Sequence, residues 1–294
     1  MDSSIRILFF LMLITNCTNC LANNGKPYNK KILFIGNSLT YYNSMPQTLQ
    51  KIFDEQKVNI RVDQQTFGGA MLCEHAWYVV GKDFQRHRAK IGEISNGVKK
   101  ILSQKWDYIV LQDAGSNVLN TKYVELSLEP SLIFLDSIIK SINAKCLLFE
   151  DYTGQIYPKQ ICISNIALNS YLAKNPNLSF SNHNDIEGDF CSIKIQNSND
   201  EYALINVEYE RMSKKLHSDL VKVGYAFQTF KTQNPLIPIY QSSSDDHPSS
   251  QGSYLIACLF FKKITGKSLK NIRYRAGLNS REAKIIRQFA DTIK

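Results

Sequence analysis

The stretch Lys31–Thr40, KILFIGNSLT, decides the fold. Residues 31–35 are an almost wholly apolar run that Gly36 ends. A run this short, closed by glycine, reads as a buried strand. The polar residues Asn37, Ser38 and Thr40 follow it, and Pro46 then opens a helical pattern with Leu49, Ile52 and Phe53 on one face. The unit is therefore strand, polar turn, helix.

The same unit recurs along the chain. Val58 to Val62 alternates and reads as a second strand, after which Gly68-Gly69 breaks the chain. Ile91, Ile94, Val98, Ile101 and Leu102 are spaced for a helix near 88–104, and Tyr108 to Leu111 is a third strand. A helical period covers 123–142, with Leu126, Ile133, Leu135, Ile138 and Ile142 apolar, and Cys146 to Phe149 is a fourth strand. A helix over 203–219 leads to a fifth strand, Leu220 to Val223, ending at Gly224. A long loop then runs through Pro235 and Pro238 to His247. Pro248 starts a helix to about Lys263, and a last helix spans 279–293, capped by Asn279 or Ser280. Five alternations of strand and helix argue an α/β domain with a parallel sheet between helix layers. Ligands of such sheets bind beyond the carboxyl ends of the strands. The Asn- and Ser-rich stretch 153–201 breaks the pattern and reads as an insertion, a lid or an edge excursion.

The first residues read as a targeting segment. Arg6 precedes the apolar run Ile7–Ile14, which is too short to span a bilayer and matches a signal-peptide core. Small residues at Cys20 and Ala22 fit cleavage after Ala22, giving a leader 1–22 and a single domain over 23–294. Lipid attachment at Cys17 competes, with Asn16 a poor residue before it. Export permits disulfides. Five cysteines follow the leader, so at least one has no intramolecular partner. Cys162 and Cys191 flank one polar segment and are the first pair to test; Cys146 and Cys258 lie in apolar runs and read as buried thiols. After the leader no Cys-x-x-Cys or histidine cluster has zinc spacing, and no metal or cofactor is expected. The net charge of +9 is scattered, with no block of five basic residues and no nucleic-acid motif, so nucleic acid is not an expected partner.

Four motifs carry chemistry. Gly36-Asn37-Ser38 places a hydroxyl and its own N–H at a strand's carboxyl edge. Gly68-Gly69 follows strand two and allows close backbone approach. Gln112-Asp113 follows strand three and offers an amide donor. Asp245-Asp246-His247-Pro248 puts an imidazole beside two carboxylates, as a general base requires. Each alone is ordinary turn or surface chemistry; their order on successive strand ends is more specific.

Together they resemble the sequence blocks of SGNH/GDSL-type serine hydrolases, in the branch with Asn before the nucleophile. KILFIGNSLTYYNSMPQTL is similar to the nucleophile block, Gly68-Gly69 to the second, WDYIVLQDAGS to the third and DDHPSSQGSYLIACLFFKKITGKS to the last. The resemblance implies a flavodoxin-like three-layer sandwich with a five-stranded parallel sheet. It implies Ser38 as nucleophile, His247 as general base, and an oxyanion hole from the N–H groups of Ser38 and Gly69 and the side-chain amide of Gln112. The family's aspartate stands three residues before the histidine, where this chain has Ser244. Asp245 is then the expected third member, with Asp246 or a backbone carbonyl as alternatives. His75 and Tyr41 are candidate substrate-binding residues; Tyr41, Tyr42 and Asn43 equally suit helix-start packing, and His75 equally suits a structural place at the rim.

The expected function is an exported serine esterase acting on a small-molecule or glycan ester, with no stable membrane insertion after leader cleavage. Two other readings use the same site: a non-catalytic glycan- or lipid-binding relative, motivated by Ser244, and an acyltransferase.

Overall fold

The structure is a computed structural model and describes residues 28–80, 86–88, 94–113, 115–165 and 189–294. The expected leader and the middle of the 153–201 stretch lie outside the described residues.

Five parallel strands form the central sheet: β1 (Lys30–Gly36), β2 (Ile60–Thr66), β3 (Tyr108–Leu111), β4 (Lys145–Phe149) and β5 (Asp219–Val221). Their order is β2-β1-β3-β4-β5. Ile32–Ile35 pair in register with Tyr108–Leu111, and Lys30–Gly36 with Ile60–Thr66. The chain leaves β1 toward one side of the sheet and later returns to fill the other. The strand order therefore reverses direction beside β1, where a crevice opens at the carboxyl ends of β1 and β3.

Side chains alternate across the sheet and feed two apolar layers. Ile32 and Phe34 face one side with α1 (Met45–Glu55), α6 (Val223–Gln233), α7 (Ser250–Thr265) and α8 (Ser280–Thr292). Leu33 and Ile35 face the other with α2 (Leu72–Trp77), α3 (Asn96–Leu102), α4 (Glu129–Ser141) and α5 (Ser198–Leu216). This is the expected α/β three-layer arrangement. Phe34 meets Phe260 of α7 edge-on at 4.9 Å, and both rings are fully buried. Burying each such ring stabilises the fold by about 1.5–3 kcal/mol, which anchors β1 directly beneath Ser38.

Several boundaries differ from the sequence reading, each for a physical reason. β2 runs on to Thr66 through Asp63, Gln64 and Gln65. As the sheet's edge strand it is only half-buried, so polar residues do not stop it. Residues 86–88 pair antiparallel with Tyr78–Val80, residues 89–93 of the helix expected near 88–104 lie outside the described residues, and its described part begins at Asn96, where the Ser95 hydroxyl accepts from the Val98 N–H. The expected 123–142 helix contains a wide turn at Val124–Leu128 before α4. Pro130 has no N–H to give to the preceding turn, so the helix widens there. Helix α5 begins at Ser198, capped by the Asn197 side chain, earlier than its apolar periodicity suggested. Part of the expected long loop before His247 is helix α6. Its remainder folds as a hairpin, Tyr240–Ser242 against Asp245–Pro248, so α7 starts after Ser249 rather than at Pro248. Asn279 caps α8 as one of its two expected caps.

Within 153–201, Cys162 and Cys191 form a disulfide, while Cys73, Cys146 and Cys258 are buried thiols. Burial pushes the thiol of Cys258 up to about 12, so it stays protonated. Among the described residues no helix is long and apolar enough to cross a membrane, and no cluster of His, Cys, Asp or Glu is placed to hold a metal ion.

Candidate active site

Ser38 begins a single helical turn, Ser38–Tyr41, at the carboxyl end of β1. Asn37 makes that turn. Its side-chain oxygen accepts from the Leu39 N–H at 3.0 Å. Its amide donates to the Ala70 carbonyl at 2.8 Å and the Asp113 carbonyl at 3.0 Å. One buried amide thus ties together the loops after β1, β2 and β3.

His247 lies on the Asp245–Pro248 strand of the hairpin. Its Nε2 is 2.8 Å from Ser38 Oγ, and its Nδ1 is 2.6 Å from Asp245 Oδ1. Asp245 also accepts from the His247 backbone N–H at 2.9 Å. These two bonds hold the Asp245 carboxyl below the usual carboxylate range. The strand explains the spacing: residues two apart project on the same side, so an aspartate at 245 can reach the ring at 247. Asp246 projects differently. Its carboxylate lines the cleft near Gly154 and makes no hydrogen bond to the imidazole.

A cleft of about 210 Å³ opens over Ser38. Asn37, Ser38, Leu39, Gly69, Ser116 and Asp246 contribute to its wall. Gly69 has φ +62°, a left-handed conformation that places its peptide at the cleft without side-chain obstruction. Ser38 and Gly69 thus both border the space over the nucleophile candidate.

Gln112 sits differently from its expected place. It is 1% exposed and does not line the cleft. Its Oε1 accepts from the Asn37 N–H and from the Thr40 hydroxyl, each at 2.9 Å. Its amide nitrogen faces the Asp113 carbonyl and, at 3.4 Å, Asp151 Oδ1. Both ends of the amide serve the floor under Ser38. A β-carbon on Gly36 would come within 2.5 Å of Gln112 Oε1, so only glycine lets the strand end pass this side chain.

His75 takes the structural of its two expected places, although fully inside rather than at the rim. It is fully buried, packs against Phe67 with the rings tilted by 41°, and its Nε2 lies 2.9 Å from the Gly36 carbonyl. It braces the end of β1 from below instead of lining the pocket. Tyr41 is half-buried near Gly68 and does not line the cleft. Its neighbour Tyr42 has the closer relation to the site: its ring stacks on the His247 imidazole, with centroids 4.2 Å apart.

Sequence reading also missed a tier of buried acids under the cleft. Asp113 accepts from the Leu72 N–H at 2.8 Å and from the Tyr123 hydroxyl. Asp151 accepts from the Tyr209 hydroxyl at 2.7 Å, and burial drives its carboxyl well above the usual range. Glu201, fully buried, accepts from Ser116, from the Gly154 N–H and from Lys159. Polar residues directly after β3 and β4 were the available signal for the first two; nothing in the sequence marks Glu201.

No family model matches the chain, and no curated protein is significantly similar to it in sequence. Solved structures do match in fold. A DUF4886 family protein from Bacteroides uniformis is 17% identical, with 90% of this chain and 93% of that one covered and a TM-score of 0.57. A protein from Slackia heliotrinireducens described as a "putative SGNH hydrolase" is 17% identical, with 80% and 98% covered and a TM-score of 0.53. The chain thus shares its fold with a protein assigned to the SGNH hydrolases, and at the level of fold this bears out the likeness that its four motifs carry.

Proposed function

We propose that this protein is an exported serine esterase that hydrolyses carboxylic esters, short-acyl or carbohydrate-linked, through an acyl-enzyme on Ser38. The observation that carries the reading is the continuous relay Asp245–His247–Ser38, with hydrogen-bond distances of 2.6 and 2.8 Å. A serine hydroxyl is a weak nucleophile until an adjacent base takes its proton, and a base on a flexible ring needs a partner to orient it.

In this mechanism Ser38 Oγ attacks the ester carbonyl carbon while its proton passes to His247 Nε2. The oxyanion of the tetrahedral intermediate accepts from the N–H groups of Ser38 and Gly69. Each such donor is worth roughly two to three decades in rate. The C–O bond to the alcohol breaks as His247 returns the proton to the leaving oxygen. Water then repeats the sequence and frees the acid. Asp245, ionised throughout, supports the imidazolium in both half-reactions.

The small cleft supports a short acyl group: among the described residues it measures about 210 Å³ and is bordered by Gly69, Ser116 and Asp246. The leader-like residues 1–22 support export. The test is turnover of 4-nitrophenyl acetate together with fluorophosphonate labelling. Wild type is expected to do both and Ser38→Ala neither. Equal turnover by the variant would refute the assignment of Ser38, and an unlabelled, inactive wild type that still binds glycans would favour a binding role.

A further inference from the structure

Two of the three residues after the nucleophile turn have an unusual backbone. Asn43 has φ 48° and ψ 33°, and Ser44 has φ 55° and ψ 43°. Two successive non-glycine residues in the left-handed region are costly, roughly 1–3 kcal/mol each, and persist only where the surroundings over-determine them. The surroundings here are the histidine loop. The Asn43 amide donates to the Pro248 carbonyl at 2.7 Å and to Ser253 Oγ at 3.2 Å. Ser253 Oγ in turn donates to the Tyr42 carbonyl at 3.1 Å, and Gln241 approaches both the Asn43 side chain and the Pro248 carbonyl. The left-handed turn also sets Tyr42 so that its ring lies over His247 at 4.2 Å and 21°.

The need for such a device is visible in the fold. Ser38 hangs from the central sheet, whereas His247 sits on a separate two-stranded hairpin that does not pair with that sheet. The apolar core holds β1 and takes in Tyr240 at the hairpin's start, whereas Asp245–His247 at its other end are half-buried or exposed and lie outside that core. The imidazole is also about one-third exposed, so packing alone does not lock its ring.

We propose that Tyr42 and Asn43 form a positioning clamp for the general base: Asn43 fixes the backbone beside His247 to the nucleophile turn, and the Tyr42 ring covers one imidazole face and holds it toward Ser38. The inference rests on the serine-esterase reading. The strained turn is the local cost of joining two segments about 200 residues apart in the chain at the one place where their distance matters. An aromatic face also attracts the imidazolium formed during each half-reaction, so the ring aids the charged state of the base as well as its placement.

The clamp predicts a specific pattern. Tyr42→Leu and Asn43→Ala should each lower kcat for 4-nitrophenyl acetate about tenfold or more, with KM within twofold of wild type. Tyr42→Phe, which keeps the ring, should recover most of what Tyr42→Leu loses. Because none of the three variants touches the main core, thermal melting should move by only a few degrees. A second readout does not depend on turnover: carbethoxylation of His247 by diethyl pyrocarbonate, followed by peptide mass spectrometry, should be severalfold faster in Tyr42→Leu than in wild type and near wild type in Tyr42→Phe. An unprotected His247, with equal carbethoxylation in all three proteins, overturns the clamp even if the chain proves not to be an esterase. So does a Tyr42→Leu enzyme with kcat within twofold of wild type, or a Tyr42→Phe enzyme as impaired as Tyr42→Leu. An inactive wild type with the expected carbethoxylation pattern would instead support the clamp and refute the esterase reading.

Discussion

Replacing Asp245 and Asp246 one at a time by asparagine separates two neighbouring carboxylates that sequence alone left open. Asp245→Asn preserves shape, and its remaining side-chain oxygen can still accept from the His247 backbone N–H, now 2.9 Å away. What disappears is the negative charge 2.6 Å from His247 Nδ1. In the proposed mechanism that charge faces an imidazolium. At a charge separation of about 4 Å the attraction is about 4 kcal/mol for an effective dielectric of 20. The two side chains are 32% and 38% exposed, however, so water screens the pair, and about 1–3 kcal/mol is the discounted range. At one decade per 1.4 kcal/mol this is a loss of roughly 5- to 150-fold in kcat. The figure lies below the ~10⁴-fold loss for the buried aspartate of chymotrypsin-like proteases, because here the carboxylate is half in solvent. Asp246→Asn should stay within about threefold of wild type, since its carboxylate borders the cleft without touching the imidazole. Steady-state kcat and KM on 4-nitrophenyl acetate at pH 7.5 read both variants. A larger loss at 246 than at 245, or wild-type kcat in Asp245→Asn, would refute the relay as drawn.

Two further predictions concern the floor of the site. Gln112→Leu removes the acceptor for the Asn37 N–H and the Thr40 hydroxyl, both buried, at about 1–3 kcal/mol for each orphaned donor; the melting temperature should fall by roughly 5–15 °C, whereas a Gln112 acting only on the oxyanion would lower kcat with melting unchanged. Asp151 has its carboxyl raised by burial, so the folded state keeps a proton that the unfolded chain releases above about pH 4. Wild type therefore loses stability relative to Asp151→Asn as pH rises from about 4 toward the folded-state value, and the melting-temperature difference between them should widen over that window; a difference that stays flat from pH 4 to 8 would contradict a protonated Asp151.

The fold was legible because it rests on backbone periodicity. All five sheet strands, and the helices that follow β1 and close the chain, announce themselves through apolar runs of the right length. Ser38 and His247 were legible as candidates for a related reason: Ser38 comes just after the glycine that ends β1, and His247 stands directly before Pro248 and the helix beyond it. The misreadings share a different cause. Gln112 and His75 are polar residues at strand ends, and a sequence does not reveal which way such a residue turns. One that faces the cleft can meet substrate; one that faces inward must find protein partners, and both did. The short hairpin carrying His247 was hidden because strands of three and four residues leave no periodic trace. Helix α6 was hidden by an aromatic-rich start that reads equally well as a loop.

The buried acids explain how loops hold a precise site at all. Loop backbone has no ladder to satisfy it, so its N–H groups need side-chain acceptors. Asp113 takes the Leu72 N–H from the segment after β2, and Glu201 takes the Gly154 N–H from the segment after β4. Asn37 and Gln112 bind the β1 and β3 ends to each other. These polar side chains are 2% exposed or less, in a layer where an unmatched group would cost several kcal/mol. A loop that shifts by an ångström breaks a buried hydrogen bond and gains no water in return. The penalty makes the loop positions nearly all-or-none, which is the property an oxyanion hole assembled from separate loops requires. On this argument the apolar core determines that the chain folds as a three-layer sandwich, while the buried polar tier determines where, within that sandwich, Gly69, Ser116 and Gly154 stand around Ser38.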